Sequence, residues 1–475
     1  MVIRTDFGNA RFPVKVIGSG EPQAKTRKLD IYEPLVHGAR LHPLPRMAFT
    51  SDFFTDFLER NGINNEPTGR GHELQIKEYE LQSKVMAANF TKAEEKIFWE
   101  IIGPLKDFAL AVRSDEFTAA GTGIFESRLF LNSGTKEERL KTFSEFMGVV
   151  IASQFAPPAA AFKRRIGAVG SRIGVQVCPV IGENIEKDAS SFDYIFSTLM
   201  SGSGYSSYRG QSRLYVEPGL GGGVNSQLED LRGGFGRVLG FSLNESPVMA
   251  FEAKGGERLH TPHVLKGLSY LDIKLRHDSV KLFGELYGAV EKLGVDGVPK
   301  YFELAAASLI DWIYDGPLPF FITQITDFIL PDVAIPEEAK NNSIWKAREV
   351  IGSGTKQLDG LIFVDKMKIS DIPKMIKNKG EKRFAAVIYG YPVRSEAAEA
   401  LSHFDNVDAI IYITRNKYPL HTHAGGCFRE SGIIVMSNPR EIQLEREQGN
   451  KVVEMPLEVY ASEKTQEGYV CLRTG

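Results

Sequence analysis

Histidine chemistry is the clearest functional signal in this chain. His421 and His423 open the run HTHAGGCFRESGIIVM (421–436), in which Arg429 and Glu430 precede an apolar stretch. An imidazole has an ordinary pKa of about 6.5, so most of it is neutral near pH 7 and can attack a phosphoryl group and later release it. His423 is therefore a candidate nucleophile and carrier of a phosphoryl group.

Two plainer interpretations of the same residues stay open. Both histidines can be ordinary polar residues of a loop that follows a strand. Cys427 together with His421 can also suggest a metal site, but zinc needs four ligands at defined spacing and we find no fourth in the sequence. The three cysteines of the chain, Cys178, Cys427 and Cys471, are too few and too scattered for a disulfide framework.

Strand and helix patterns alternate around this segment. We predict buried strands at 358–364, 384–393 and 407–414, and amphipathic helices at 369–380 and 395–404. Apolar strands joined by helices favour an α/β domain with a mostly parallel sheet. The histidine loop follows the third strand directly, at the strand's C-terminal edge, where such sheets bind their ligands.

A proline-rich and charged stretch, ILPDVAIPEEAKNNS (329–343), separates this region from the rest of the chain. Its composition is typical of a linker. We therefore predict one large module at 1–330, a linker at 331–345 and a smaller domain at 346–475.

Length and charge limit the possible functions. The chain has 475 residues, enough for two to four domains, and its formal net charge of −3 argues against nucleic acid as a main partner. No apolar run approaches the about 20 residues that cross a bilayer, and the first residues, MVIRTDFGNARF, lack the apolar core of a signal peptide. The sequence predicts a cytoplasmic protein with no membrane partner.

The order and spacing around His423 resemble the swivelling phosphohistidine domain of the phosphoenolpyruvate synthase and pyruvate phosphate dikinase family. In that family a histidine in a Ser/Cys-His-Ala-Ala context is phosphorylated, and an A-R-E-x-G-I-P-A-V run packs behind it. The resemblance implies that His423 is the phosphoryl carrier and that Arg429 and Glu430 support it.

The N-terminal part resembles the ATP-grasp module of the same family. The matching segments follow one another in order: IGSGEPQAKTRKL (17–29), LPRMAFTSDFFTDFL (44–58), LAVRSDEFTAAGTGIFESRLFLN (110–132), IGVQVCPVIG (173–182), LYVEPGLGGGVNSQ (214–227) and LIDWIYDGPLPFFITQITDF (309–328). The resemblance implies a multidomain α/β and α+β fold in which an ATP-grasp module precedes a small swivelling α/β domain.

The same resemblance implies a nucleotide site and a magnesium site. Lysine and arginine neutralise a triphosphate, and magnesium prefers hard oxygen ligands, which Asp311 and Gln324 can offer. The residues implied for nucleotide binding are Lys25, Arg113, Gly123, Val177, Cys178, Pro179, Asp311 and Gln324.

The resemblance implies an ATP-dependent, dikinase-like phosphotransferase with ATP and Mg²⁺ as cofactors. His423 takes a phosphoryl group and passes it to an acceptor, either pyruvate or another small molecule. The TIM-barrel acceptor domain of the synthase and the dikinase has no counterpart in the sequence. We therefore expect the acceptor to bind between the two domains or on a separate subunit.

The chain departs from the family pattern at Leu309, Gly222, Thr326 and the Tyr418–Pro419 pair, where the family has charged residues or glycines. Two alternatives therefore stay open. One is a degenerate, non-catalytic nucleotide-binding or regulatory subunit, and the other is the ATP and histidine subunit of a split phosphoenolpyruvate synthase. AMP formation that depends on His423 indicates an enzyme, whereas ATP binding without turnover indicates a regulatory subunit.

Overall fold

The computed structural model describes a mixed α/β protein. The described residues are 15–36, 41–43, 45–63, 66–69, 71–106, 108–116, 124–179, 183–186, 195–197, 200–208, 211–218, 249–252, 300–306, 320–327, 331–364, 372–389, 406–414, 428–429, 431–438, 440, 442 and 451–473. None of the helices among them is both long and apolar enough to cross a membrane.

The described strands before residue 330 form two large sheets and one short pair. They are β1 (Lys15–Ile17), β2 (Leu41–Pro43), β3 (Met47–Phe49), β4 (Ala109–Asp115), β5 (Ser127–Leu131), β6 (Gly174–Pro179), β7 (Glu183–Glu186), β8 (Ile195–Ser197), β9 (Met200–Tyr208), β10 (Gln211–Pro218), β11 (Met249–Glu252), β12 (Lys300–Ala306) and β13 (Phe320–Asp327). The first sheet has the order β1-β3-β6-β4-β5 and the second has the order β11-β10-β9-β12-β13-β2. In each sheet one pair is parallel, β1 with β3 and β13 with β2.

Six α-helices accompany these sheets in the described part of the chain. They are α1 (Ala24–Val36), α2 (Ser51–Arg60), α3 (Gly71–Met86), α4 (Lys92–Ile102), α5 (Lys136–Ala152) and α6 (Pro157–Arg165). Capping boxes fix the starts of α4 and α5, because Thr91 and Thr135 exchange hydrogen bonds with Glu94 and Glu138. Pro157 occupies the first turn of α6, where its missing N–H costs nothing.

The first sheet has one apolar and one polar face. Val112 pairs with Val177, and Val177 pairs with Met47, so these three residues share a face. All three are buried in the main hydrophobic cluster, and α5 packs against β4, β5 and β6. The opposite face is lined by α1, which contacts β4 of the first sheet and also β13 and β2 of the second.

The C-terminal part is an eight-stranded sheet with a parallel centre. Its strands are β14 (Ser343–Lys346), β15 (Glu349–Ile351), β16 (Gly354–Val364), β17 (Phe384–Tyr389), β18 (Val407–Ile413), β19 (Ile434–Asn438), β20 (Lys451–Ser462) and β21 (Glu467–Leu472), in the order β14-β21-β20-β16-β17-β18-β19-β15. Strands β16 to β19 are mutually parallel, and antiparallel strands flank them. The described residues of this part include two short helices, α7 (Glu337–Asn341) and α8 (Ile372–Ile376).

The three strands that the sequence predicts here are confirmed as β16, β17 and β18. The predicted helix at 369–380 is shorter in the structure, where only α8 (Ile372–Ile376) is helical among the described residues of that range. The predicted helix at 395–404 lies outside the described residues. Strands β17 and β18 are buried over nearly their whole length, and β16 is buried mainly from Leu358 onward, which is the part that its apolar run predicts.

The segment predicted as a linker, 331–345, is only partly irregular. Residues 331–336 are irregular and mostly exposed, but α7 and β14 occupy the remainder. Ala339 is buried against Tyr469 and Cys471, and Trp345 is buried in the core of the C-terminal sheet. These apolar residues stand among charged and amide residues, which is why the composition alone indicated a linker.

The N-terminal and C-terminal parts contact each other where α6 meets β18. Arg165 Nη2 donates to Val407 O at 3.1 Å, and Arg165 Nη1 lies 3.8 Å from Asp408 Oδ1. Buried apolar side chains of both parts belong to one continuous hydrophobic cluster, against which Ile166 packs. The two parts are therefore docked on each other in this structure.

Limited proteolysis should cut the chain first within 331–336, because this backbone is irregular and exposed. Arg165→Ala weakens the docking of the two parts, because a charge-assisted hydrogen bond contributes about 1.5 to 3 kcal/mol. Undocking gives the connecting segment more freedom to enter a protease, so the cleavage rate should rise by about tenfold. Arg164→Ala is the matched control, because Arg164 pairs with Glu78 inside the N-terminal part. Equal cleavage rates for the two variants, measured by gel densitometry, would contradict the role given to Arg165.

Candidate functional site

Part of the site predicted from the sequence lies among the described residues. His421, His423, Gly123, Asp311 and Glu430 lie outside them, as does Cys427, so their predicted roles stay predictions. The remaining members, Lys25, Arg113, Val177, Cys178, Pro179, Gln324 and Arg429, are described.

Residues of β4 and β6 provide the polar face of the first sheet. Arg113 pairs with Gln176, Ala111 with Cys178, and Asp115 with Gly174. Since alternate residues of a strand share a face, the side chains of Arg113, Asp115, Gln176 and Cys178 project to one side. Val177 projects to the other side, into the apolar core.

Helix α1 brings Lys25 and Thr26 onto this face. Lys25 Nζ lies 2.7 Å from Glu116 Oε1 and 3.3 Å from Ser114 O, and the lysine is 4% exposed. The backbone N–H of Thr26 donates to Asp115 Oδ1 at 3.2 Å, while Gln176 Nε2 donates to Thr26 Oγ1 at 3.2 Å. The first turn of α1 is thus fastened to the ends of β4 and β6.

The glycine-rich loop before α1 is held by Asp52 in the first turn of α2. Ser19 donates to Asp52 Oδ2 from its backbone N at 2.7 Å and from Oγ at 2.5 Å. Burial opposes ionisation of Asp52, but hydrogen bonds from Ser19 and Thr50 outweigh it and hold the pKa well below its usual range. Gly18 has a φ of +115°, and a Cβ there would lie 1.8 Å from Thr50 Oγ1, so only glycine fits.

Arg113 joins the first sheet to the second. Its Nη1 donates to Thr323 O in β13 at 2.9 Å, and the arginine is 3% exposed. The pairing of β12 with β13 shifts between Glu303 and Leu304, so Thr323 has no counterpart on β12. Such a bulge redirects the backbone locally, and here it presents the Thr323 carbonyl to Arg113. Gln324, the next residue, is buried in the same strand.

These contacts define a buried group that we call the polar cluster. Arg46, which precedes β3 and pairs with Asp30, belongs to it because it interacts electrostatically with Cys178 and Asp115. The members of the polar cluster are Lys25, Thr26, Arg46, Arg113, Asp115, Glu116, Gln176, Cys178 and Thr323.

Burial dominates the electrostatics of the polar cluster. It raises the pKa of Asp115 to about 6, and the neighbouring charge of Glu116 adds to the rise, while hydrogen bonds from Thr26 oppose it. Burial also raises the pKa of the Cys178 thiol, which the Arg113 guanidinium opposes only in part. Burial lowers the pKa of Arg46 to about 10, so this guanidinium stays protonated at neutral pH. Three cations and two acids therefore share one buried space.

Four buried oxygen atoms of the polar cluster have no hydrogen-bond partner among the described residues. They are Asp115 Oδ2, Glu116 Oε2, Gln176 Oε1 and Thr323 Oγ1. Buried polar atoms in proteins are nearly always paired, so four unsatisfied oxygens in one place indicate capacity to bind a group that donates hydrogen bonds. Amino and hydroxyl groups of a ligand are of that kind, and the three cations of the cluster suit an anionic ligand.

Metal binding has less support within the described residues. No group of three histidine, cysteine, aspartate or glutamate side chains in that part of the chain is placed to hold a metal ion. Gln324 offers one hard oxygen of the type that magnesium accepts, and Asp311, its predicted companion, lies outside the described residues.

Arg429 lies in a buried ion pair in the C-terminal sheet. Its Nε donates to Glu463 Oε1 and Oε2 at 2.7 and 2.8 Å, and its Nη2 lies 2.6 Å from Oε1. The backbone N of Gly352 also donates to Glu463 Oε2 at 2.8 Å. This bidentate contact fixes the chain just after the histidine segment.

Sequence reasoning selected Lys25, Arg113 and Cys178 but did not assign a role to Thr26, Gln176 or Thr323. Glu116 was also missed, although it follows Asp115 in the segment that carries Arg113. No family model matches this chain, and no curated protein matches it either. The family resemblance therefore stays a prediction that rests on the motifs.

Asp115→Asn should change how stability depends on pH. Burial raises the carboxyl pKa of Asp115 from its ordinary value of 3.8 to about 6 in the folded protein, so the unfolded chain releases this proton at lower pH. Asp115 therefore lowers the free energy of unfolding as pH rises from about 4 to about 6, by about 2 to 3 kcal/mol in total, and the loss persists at higher pH. Asparagine does not titrate, so the Asp115→Asn variant does not lose this part of the free energy of unfolding as pH rises.

Urea unfolding of both proteins at pH 4, 5, 6 and 7 checks this expectation. The variant should gain stability over the parent with each step up to about pH 6. Asp332→Asn, at an exposed position, is the control and should follow the pH dependence of the parent. Parallel curves for Asp115→Asn and the parent would contradict the buried, high-pKa carboxyl.

Proposed function

We propose that this chain is an ATP-dependent phosphotransferase of the dikinase type. In this proposal its N-terminal part binds ATP and Mg²⁺. His423 accepts a phosphoryl group and passes it to a small molecule, such as pyruvate, or to an acceptor on another subunit.

The observation that carries the proposal is the convergence of residues from distant segments that the sequence predicts to bind a nucleotide. Lys25, Arg113 and Cys178 were selected on separate motifs, and all three belong to one buried cluster. Gln324 lies next to Thr323, which contacts Arg113 from the second sheet. Predicted residues from three separate motifs therefore lie together in a space that has unsatisfied oxygens, as a ligand-binding site requires.

The chemistry of the polar cluster suits a nucleotide. Lys25, Arg46 and Arg113 supply positive charge for the phosphates, and the guanidinium of arginine can bind two phosphate oxygens at once. The unsatisfied oxygens of Asp115 and Gln176 can accept hydrogen bonds from adenine or ribose. Asp311 and Gln324 are the residues proposed to hold Mg²⁺, which would neutralise charge on the phosphate oxygens when bound.

The transfer step needs little beyond positioning and charge neutralisation. The neutral imidazole nitrogen of His423 attacks phosphorus in line, so that an N–P bond forms as the P–O bond to the leaving phosphate oxygen breaks. The leaving oxygen keeps the electron pair, and the cations of the polar cluster stabilise it. Attack of the acceptor oxygen on phosphohistidine then restores the free histidine.

A second candidate is a nucleotide-binding regulatory subunit without turnover. Two observations favour it: Glu116 pairs with Lys25, and a continuous hydrophobic cluster docks the C-terminal part on the N-terminal part. A carrier histidine must move between the ATP site and the acceptor site, and the docking of the two parts opposes this movement.

Intact-mass analysis after incubation with Mg-ATP separates the candidates. The proposal expects an acid-labile mass increase equal to one phosphoryl group, together with release of AMP or ADP. ATP binding by calorimetry without the adduct would support the regulatory subunit. Absence of ATP binding would refute both candidates.

A further inference from the structure

Glu116 forms a buried ion pair with the amino group of Lys25, the residue predicted to bind a phosphate. Lys25 Nζ contacts Glu116 Oε1 at 2.7 Å and Ser114 O at 3.3 Å. Both side chains are almost fully buried, with 5% of the lysine and 1% of the glutamate exposed. An ammonium group has three donors, and two of them are directed at these oxygens in this structure.

The pair is poorly explained as a stabilising element. Burying two charges costs about as much as their attraction returns, so buried ion pairs are weak contributors to stability. Glu116 also keeps Oε2 without a partner, whereas a structural carboxylate normally uses both oxygens. The Ser114 hydroxyl donates to the same Oε1 at 2.5 Å, so one oxygen receives two donors while the other receives none.

The charges around Glu116 are unfavourable for a second anion. Lys25 of α1 contacts Glu116 directly, and Asp115, the residue before Glu116, interacts with it electrostatically. The other charged groups of the polar cluster are Arg46, which pairs with Asp30, and Arg113, which donates to Thr323 O of β13. A triphosphate in this space lies beside the carboxylates of Glu116 and Asp115 as well as beside the three cations.

We propose that Glu116 is an internal competitor of the nucleotide phosphates for Lys25. Binding of ATP then requires Lys25 Nζ to exchange Glu116 Oε1 for a phosphate oxygen, so the resting site is autoinhibited. This inference rests on the proposed nucleotide site, and it adds a regulatory contact to it. Any change that neutralises or withdraws Glu116 raises the affinity for phosphate-bearing ligands.

The decisive variant is Glu116→Gln, with ATP and adenosine as probes in isothermal calorimetry on the full chain. ATP should bind about tenfold tighter, the scale of one charge-assisted contact, while adenosine, which has no phosphate, should bind as in the parent. Glu78→Gln is the matched control, because Glu78 is also a buried, ion-paired glutamate but pairs with Arg164 on α6. That control should leave both affinities unchanged.

The coupling between the two residues provides a second arm. In a Lys25→Met background, Glu116→Gln should give no gain in ATP affinity, because the contested amine is absent. If Glu116→Gln does not fold, Glu116→Asp keeps the charge but draws the carboxylate back from Nζ, and a smaller gain in the same direction is expected.

Several outcomes would overturn the inference. Equal or weaker ATP binding by the glutamate variants would show that Glu116 does not compete for Lys25, and a gain that persists without Lys25 would show that it acts elsewhere. A gain shared by adenosine would assign the effect to general loosening of the site. These outcomes leave the nucleotide site itself intact, whereas loss of detectable ATP binding in the parent and every variant would refute the proposed function instead.

Discussion

His423→Ala is expected to remove the phosphoryl adduct and all turnover, while ATP affinity stays within a few-fold of the parent. The reason is spatial: the proposed carrier belongs to the C-terminal part, whereas Lys25, Arg113 and Thr323 belong to the N-terminal part. Loss of the nucleophile removes a covalent step for which the polar cluster has no substitute. Intact mass and calorimetry on the same preparation check both halves of this expectation.

His421→Ala is the control for this prediction and should reduce transfer far less. Retained turnover in His423→Ala would refute the phosphohistidine mechanism. Equal loss in both variants would mean that the two histidines act jointly or that His421 is the carrier.

Lys25→Ala and Arg113→Ala should each weaken ATP binding by about ten- to a hundredfold. Each removes a cation that contacts the triphosphate in the proposed complex, and charge-assisted contacts contribute about 1.5 to 3 kcal/mol. The loss of ATP affinity in Lys25→Ala should be nearer tenfold, because in the parent Lys25 must give up its contact with Glu116 before it can bind a phosphate, and this cost reduces its net contribution to ATP binding. Arg113→Ala should fall at the upper end, because Arg113 also holds Thr323 at the junction of the two sheets.

Controls keep this second expectation specific. Lys77→Ala removes an exposed lysine that pairs with Glu73 and should leave ATP affinity unchanged. Arg113→Lys keeps the charge but loses the guanidinium fork, so it should recover part of the affinity. Unchanged ATP affinity in both alanine variants, with circular dichroism showing that they are folded, would remove the nucleotide-site assignment.

The sequence predicted the parts of the fold that depend on local pattern. Strands β17 and β18 and the second half of β16 are mostly buried, so their apolar runs predict them directly. The sequence predicts a linker where the structure has helix α7 and strand β14, because their buried residues, Ala339 and Trp345, stand among charged and amide neighbours. Such burial depends on β21, which lies more than a hundred residues later in the chain.

The sequence predicts a residue of the candidate site only where a local motif identifies that residue by itself. Lys25 and Arg113 could be named from their own segments, but the role of Glu116 depends on an amine 91 residues earlier in the chain. The pKa of Asp115 likewise depends on the first turn of α1, which covers it. Thr323 is set by a bulge in the pairing of β12 and β13, and such a shift leaves no local mark in the sequence.

Helix α1 connects the two N-terminal sheets. At its start, Ala24 N donates to Glu116 O at 2.9 Å, which ties it to the first sheet. After its end the chain continues into β2, which pairs with β13 of the second sheet. Because α1 is attached to both sheets, a rotation of one sheet against the other would tilt the helix. Lys25, which follows the first residue of α1, would then shift relative to Glu116.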